Sequence, residues 1–392
     1  MQERLHSASL RRYYAAGVLI AVVLGGMCGL MYGQGAERFL QSYLMAWVFW
    51  ILLALGCLGF TLLHHSIRGV WGLGVLRLFE AGASPATFLV LGLAGIPIFA
   101  NMHSLYEWTH ADFMASSEAL RYKQWYLNEA FFFLRLAAYF AFWIWISWFL
   151  RKSGIRQDQI LDERLAQARM NWSAPMLVFF VLSVTLCMTD WVMSLDPHWF
   201  SHIFGLWLLI GGGLTAIAAV NLLIARNADV EPYKSVMSVG WTKDLGNMMF
   251  VFTLLWAYTS LSQYLIIWQG NLPEFTSYYF VRSQGGWENI ALVLIFGQFL
   301  FPFVALLSPR VKRVPALLGA MATWILLMRV LDVFWIIAPF FRKGSLEVHW
   351  GPDLVAFAFL GMLWLVVFAN QLMRATLIPE HDTRLKEAYH HA

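Results

Sequence analysis

The sequence predicts an all-α polytopic membrane protein with ten transmembrane helices, and three observations lead there. Of the 392 residues 60% are apolar and only 13% charged, against about 45–50% and about 25% in ordinary soluble domains. A bilayer core about 30 Å thick takes about 20 helical residues to cross, and the apolar stretches recur at that length. Polar, glycine or proline residues punctuate them. The chain 1–392 is therefore expected to be one integral membrane domain: a tail over 1–12, ten spans over 13–373 and a tail over 374–392.

The first span, expected at 13–33, follows Arg4, Arg11 and Arg12 as a signal peptide would. No small-residue cleavage site follows it, so it is expected to be retained. Spans two and three are expected at 39–62 and 86–101, the latter short and holding Pro97. Spans four and five, at 127–150 and 173–195, flank a charged connection over 151–172 that suits a short surface helix. Span six, at 199–225, follows with almost no loop, Pro197 being able to open its helix. The remaining four are expected at 244–268, 287–307, 314–338 and 353–373.

Lysine and arginine number 19 in the two tails and the loops on their side, and 6 in the opposite loops. Such an excess marks the cytoplasmic side, so both termini are expected in the cytoplasm. A net charge of +4 with no long basic stretch excludes a nucleic-acid partner, and the bilayer is the surface the chain meets. Cys28, Cys57 and Cys187 all lie in apolar runs without any CxxC pair, which leaves no disulfide framework, iron–sulfur cluster or attached c-type haem to expect. No histidine falls mid-span, so neither a metal site nor an axial pair for b-type haem is expected.

Charge inside a bilayer costs at least about 2.5–3.5 kcal/mol on insertion scales, which makes intramembrane ionisable residues functional candidates. Arg135, Asp190, Arg329 and Asp332 are the four, expected at one depth about 8–14 Å below the outer surface. Glu129, Asp196, Glu288 and Asp353 are expected above them, and the inner half of the spans to hold no carboxylate. Two interpretations stay open. Arg135 pairs with Asp190, and Arg329 with Asp332 three residues on, as structural glue; or the four line a hydrated pocket or outer proton half-channel, with Glu129 joining them.

Two segments are denser in polar and aromatic residues than hydropathy requires. Residues 189–202 carry Asp190, Trp191, Asp196, His198, Trp199 and His202, with His202 expected one helical turn below His198. A tight hairpin accounts for Asp196 and Pro197 alone. The others would face an amphipathic ring such as a quinol, and a solvated surface is the plainer account of either histidine. The second segment runs from Lys243 through Trp256 and Tyr258 to Glu274.

These two segments, DWVMSLDPHWFS and DLGNMMFVF…WAYTSLSQYLIIWQGNLPE, resemble the ActF subunit family of bacterial alternative complex III, within the wider NrfD/PsrC-like group of membrane subunits. The resemblance extends to ten spans over nearly the whole length. It implies two four-helix bundles, from spans two to five and six to nine, with the first and last spans peripheral. It also implies a subunit of a quinol:cytochrome c oxidoreductase in the bacterial inner membrane. Its partners would be a paralogous NrfD-like quinol subunit, an iron–sulfur subunit, a multihaem cytochrome c subunit and a terminal oxidase. Haem c and iron–sulfur clusters would sit on those partners, and this chain would bind no cofactor beyond a quinol. On that basis His198, His202, Asp196 and Trp199 are the candidate quinol-binding residues, and Arg135, Asp190, Arg329, Asp332 and Glu129 the candidate proton-transfer residues. Gln269 and Gly270 depart from the family's WYAN pattern, which removes any role for its tyrosine. A secondary transporter is the alternative, with Gly211, Gly212 and Gly213 in span six as the break signal near the midplane; a scaffold between other subunits is a third.

Overall fold

The computed structural model describes residues 7–379 apart from 68, 70, 161, 237 and 238. Most of the amino-terminal tail and the end of the carboxy-terminal tail thus fall outside the described residues. Within them the chain is helical without a strand, and ten helical stretches are long and apolar enough to cross a membrane. The protein is a multi-pass α-helical membrane protein.

In chain order the helices are α1 (Ser7–Gln34), α2 (Ala36–Ile67), α3 (Leu76–Gly82), α4 (Pro85–Ala94), α5 (Ile96–Ala100), α6 (Ala111–Ala115), α7 (Glu118–Lys123), α8 (Glu129–Gln157) and α9 (Glu163–Trp191). There follow α10 (Phe204–Asn227), α11 (Tyr233–Val236), α12 (Val239–Gly270), α13 (Pro273–Arg282), α14 (Trp287–Leu294), α15 (Phe301–Leu307), α16 (Pro309–Arg313), α17 (Pro315–Phe341) and α18 (Trp350–Leu372). The eighth span is α14 and α15 joined through a π-helical stretch, Ile295–Leu300. Pro302 has no N–H to give the Gln298 carbonyl, so the regular ladder cannot pass this point.

Three expected boundaries move. The third span begins ten residues early, at Leu76 rather than 86, because α3 to α5 are in series. Ser84 accepts a hydrogen bond from the Thr87 amide and Pro85 opens α4, so the chain restarts its helix there without leaving the bundle. The charged connection 151–172 holds no separate surface helix: α8 runs on to Gln157 and α9 starts at Glu163, leaving a short turn. At the other end of α9, residues 196–203 are an irregular turn and α10 starts only at Phe204. Pro197 therefore does not open the sixth span.

The core is centred on α2 and α10, which pack on each other. Glycine permits the approach: a Cβ at Gly56 would lie 2.2 Å from the Gly212 carbonyl oxygen, and one at Gly212 would lie 2.6 Å from that of Leu52. Helix α2 packs also on α3, α4 and α9, α8 on α4 and α9, and α10 on α9, α12 and α17. Helix α18 covers α2 and α4, and α1 lies on α18 with most of its apolar surface outward. Glycines 211 to 213 lie within unbroken α10, so the expected midplane break is a close-packing site instead.

Candidate functional site

The Arg135–Asp190 pair joins two neighbouring helices. Asn128 caps α8 by accepting from the Phe131 amide at 2.9 Å, and Arg135 follows about two turns later. Asp190 stands in the last turn of α9, where the helix dipole disfavours an anion. Arg135 answers it with a two-pronged contact, Nε to Oδ2 at 2.8 Å and Nη2 to Oδ1 at 3.0 Å. The Tyr139 hydroxyl donates to Oδ2 at 2.9 Å, and Arg135 Nη1 donates to the Tyr126 carbonyl at 2.9 Å. The guanidinium lies 3.9 Å from the Tyr126 ring centroid, so its remaining face is covered by an aromatic. Trp191 beside it is fully buried and packs on Trp47.

Directly beyond this pair is a cleft of about 300 Å³ between the α7–α8 connection and the α9–α10 turn. Tyr126, Lys123 and Trp125 line one wall; Met193, Asp196 and Trp199 line the other. Lys123 spans the mouth, its Nζ donating to the Pro197 carbonyl at 2.6 Å. Burial pulls the Lys123 pKa below the ordinary lysine value, with Asp196 and Glu274 partly offsetting it. Trp199 is held rigid by stacking on Tyr278 at 4.4 Å and by donating to the Phe275 carbonyl at 3.1 Å. The cleft is mostly apolar with a few polar groups, Lys123 and Asp196 among them, the usual composition of a small-molecule site.

The expected quinol residues divide. Asp196 and Trp199 line the cleft, but His198 and His202 are exposed on the irregular turn and do not line it. The expected helical stacking of the two histidines is absent because α10 begins after both. The His198 amide donates to Asp196 Oδ1 at 3.1 Å, and its ring packs edge-on against Phe113. Glu129 stands at the start of α8, about half exposed, 3.6 Å from His103 Nε2. It takes no part in the Asp190 network.

The other pair lies in α17, where Arg329 Nη1 bonds Asp332 Oδ2 on the same helix face. Trp256 donates to the same oxygen at 3.1 Å and Arg329 Nε donates to Thr215 Oγ1 at 3.2 Å. The Gln298 amide, oriented so that its oxygen accepts from Arg329 Nη1 at 3.3 Å, donates to the Met328 carbonyl at 3.0 Å. Gly211 leaves room for the guanidinium, since a Cβ there would meet Nη2 at 2.3 Å. The two pairs share none of these partners. Both pairings foreseen as structural glue are thus present, and Tyr139, Thr215, Trp256 and Gln298 join them without having been foreseen.

One expectation is overturned at the opposite end of the helices. Glu80 and Arg77 lie in α3, inside the extended third span, and are 3% and 2% exposed. The spans there do hold a carboxylate. A span starting at 86 would leave both residues in a loop; the start at Leu76 takes them into the helix.

Among the described residues no group of three or more His, Cys, Asp or Glu is arranged to hold a metal ion. No protein-family model matches the sequence, and a search of curated proteins finds no match either.

Proposed function

We propose that the chain is an integral membrane subunit of a bacterial respiratory quinol:cytochrome c oxidoreductase of the alternative complex III type. In this reading it resides in the inner membrane with both termini cytoplasmic. Spans two to five and six to nine form two four-helix bundles, and α1 and α18 are peripheral. Haem c and iron–sulfur clusters on partner subunits carry the electrons. This chain contributes a quinol-contacting surface and an outer proton half-channel.

The observation that carries the reading is the segment Asp190 to Ser201. Its Asp190 is held by Arg135 and Tyr139 beneath a cleft whose size and mostly apolar lining suit a quinol ring. Oxidation of a quinol releases two electrons to the acceptor and two protons. Asp196, at the cleft wall, is the group that would accept a hydroxyl proton, and Trp199, stacked on Tyr278, would form a rigid apolar wall against the ring. Asp190 and Arg135 hold the charge balance below, and His198 and His202 face the water that receives the protons. Arg329 and Asp332 would serve as a second charged station in the other bundle.

Asp190→Asn keeps the shape of the side chain and removes its charge. In the assembled complex the proposal expects quinol oxidation or proton release to fall at least tenfold. Unchanged rates of both would remove Asp190 from the mechanism. Secondary transport is the alternative, but its midplane break signal, Gly211 to Gly213, lies in continuous helix.

A further inference from the structure

A second ionic cluster lies at the far end of α8. Arg151 follows Arg135 by 16 residues, about 24 Å along a helix. From α3, Arg77 Nη1 donates to Glu80 Oε2 at 2.6 Å, and Nη2 donates to both oxygens of Asp158 at 2.7 Å. Arg77 also reaches the Gly154 carbonyl at 3.2 Å, and a Cβ at Gly154 would lie only 2.7 Å from its Nη1. His65, in the last turn of α2, brings Nε2 to 4.0 Å from Glu80 Oε1. Arg151, from α8, is 6% exposed. These groups come from α2, α3 and α8, and proton-exchanging side chains are prominent among them.

The chain's own end reaches this cluster at Asp158. After α18 stops at Leu372 the segment 373–379 is not helical, and an irregular stretch close to a chain terminus is ordinarily poorly ordered unless it is tied down. Here one hydrogen bond ties it to the cluster, Thr376 Oγ1 donating to Asp158 Oδ2 at 3.1 Å. Just before it, in the last turn of α18, the Gln371 carbonyl accepts from Arg151 Nη2 at 2.7 Å. Leu377 and Ile378 are 6% and 1% exposed, so the stretch also has an apolar anchor. A segment held by few contacts opens more readily than the helices beneath it.

We propose that residues 373–379 form a strap that shuts this cluster from water, so that its release opens an ionisable, proton-exchanging site at the end of the membrane domain opposite Asp190. The occupant of the opened site is water, with Glu80 as the carboxylate nearest His65. The proposal stands independently of any role in quinol oxidation.

Carboxyl tagging of the full-length chain in detergent tests it. A water-soluble carbodiimide with an added amine converts carboxyl groups that water reaches into amides, read residue by residue by mass spectrometry. Glu80 is expected to tag at least tenfold faster in Thr376→Ala and in a chain ended after Met373 than in the unaltered protein. Asp190 and Asp332 should stay untagged in all three, which reports an intact fold. Where the shortened chain tags those two as well, it has unfolded, and Thr376→Ala decides by the same rate comparison. Equal Glu80 rates in the unaltered chain and in folded variants would overturn the strap.

Discussion

At the scale of single residues the ion pairs dominate. Removing one partner of a buried pair leaves the other charged and alone, at a cost of about 3–5 kcal/mol, whereas replacing both with apolar groups is often neutral. Asp190→Ala is therefore expected to destabilise the protein by about that amount, and Arg135→Met with Asp190→Leu by much less. Thermal unfolding in detergent checks both. These pairings were legible in the sequence because a charge inside a span demands a partner, and Arg329 and Asp332 stand three apart on one helix. Thr215 and Gln298 were not legible: they are uncharged, and helical spacing alone does not say which neutral side chain meets a pair from another helix. Tyr139, four residues after Arg135 on α8, lay within reach of that spacing. The histidines misled for a related reason, since their spacing has meaning only if the helix has already begun.

Close packing and chain breaks govern the elements. Gly56→Ala would press a methyl group into the backbone of α10, 2.2 Å from the Gly212 oxygen. It should cost about 1–3 kcal/mol. Gly26→Ala on α1 meets nothing within 4 Å and should be neutral or stabilising by up to about 1 kcal/mol. Comparing their unfolding midpoints in one detergent tests the packing account. A second device is at the end of α17, where Pro339 leaves the Trp335 carbonyl without its helical donor. Arg282, 3% exposed, donates to that carbonyl at 3.2 Å and to Ile336. Arg282→Lys, a single ammonium without the planar fork, is expected to lower the unfolding temperature; an unchanged value would remove this capping role. Helix existence was legible from apolar length, but boundaries were not. Helices α8 and α9 outrun the apolar stretch, and the restart at Ser84 hides the true start of the third span.

For the whole molecule, orientation and assembly are the open claims. The lysine and arginine asymmetry predicts opposite sides for two loops of the second half. A membrane-impermeant maleimide added outside intact cells should label Lys343→Cys and spare Lys312→Cys, and the reverse pattern would invert the topology. Assembly follows from the chemistry of the cleft: a quinol oxidised there needs an electron acceptor, and the proposal assigns that acceptor to partner subunits. Affinity purification of the tagged chain from native membranes under mild detergent is the most direct test. The account predicts co-elution with a multihaem c-type cytochrome and an iron–sulfur subunit, visible as haem absorbance that quinol reduces. A chain that elutes free of haem and of those partners, while moving a solute when reconstituted in vesicles, would contradict it.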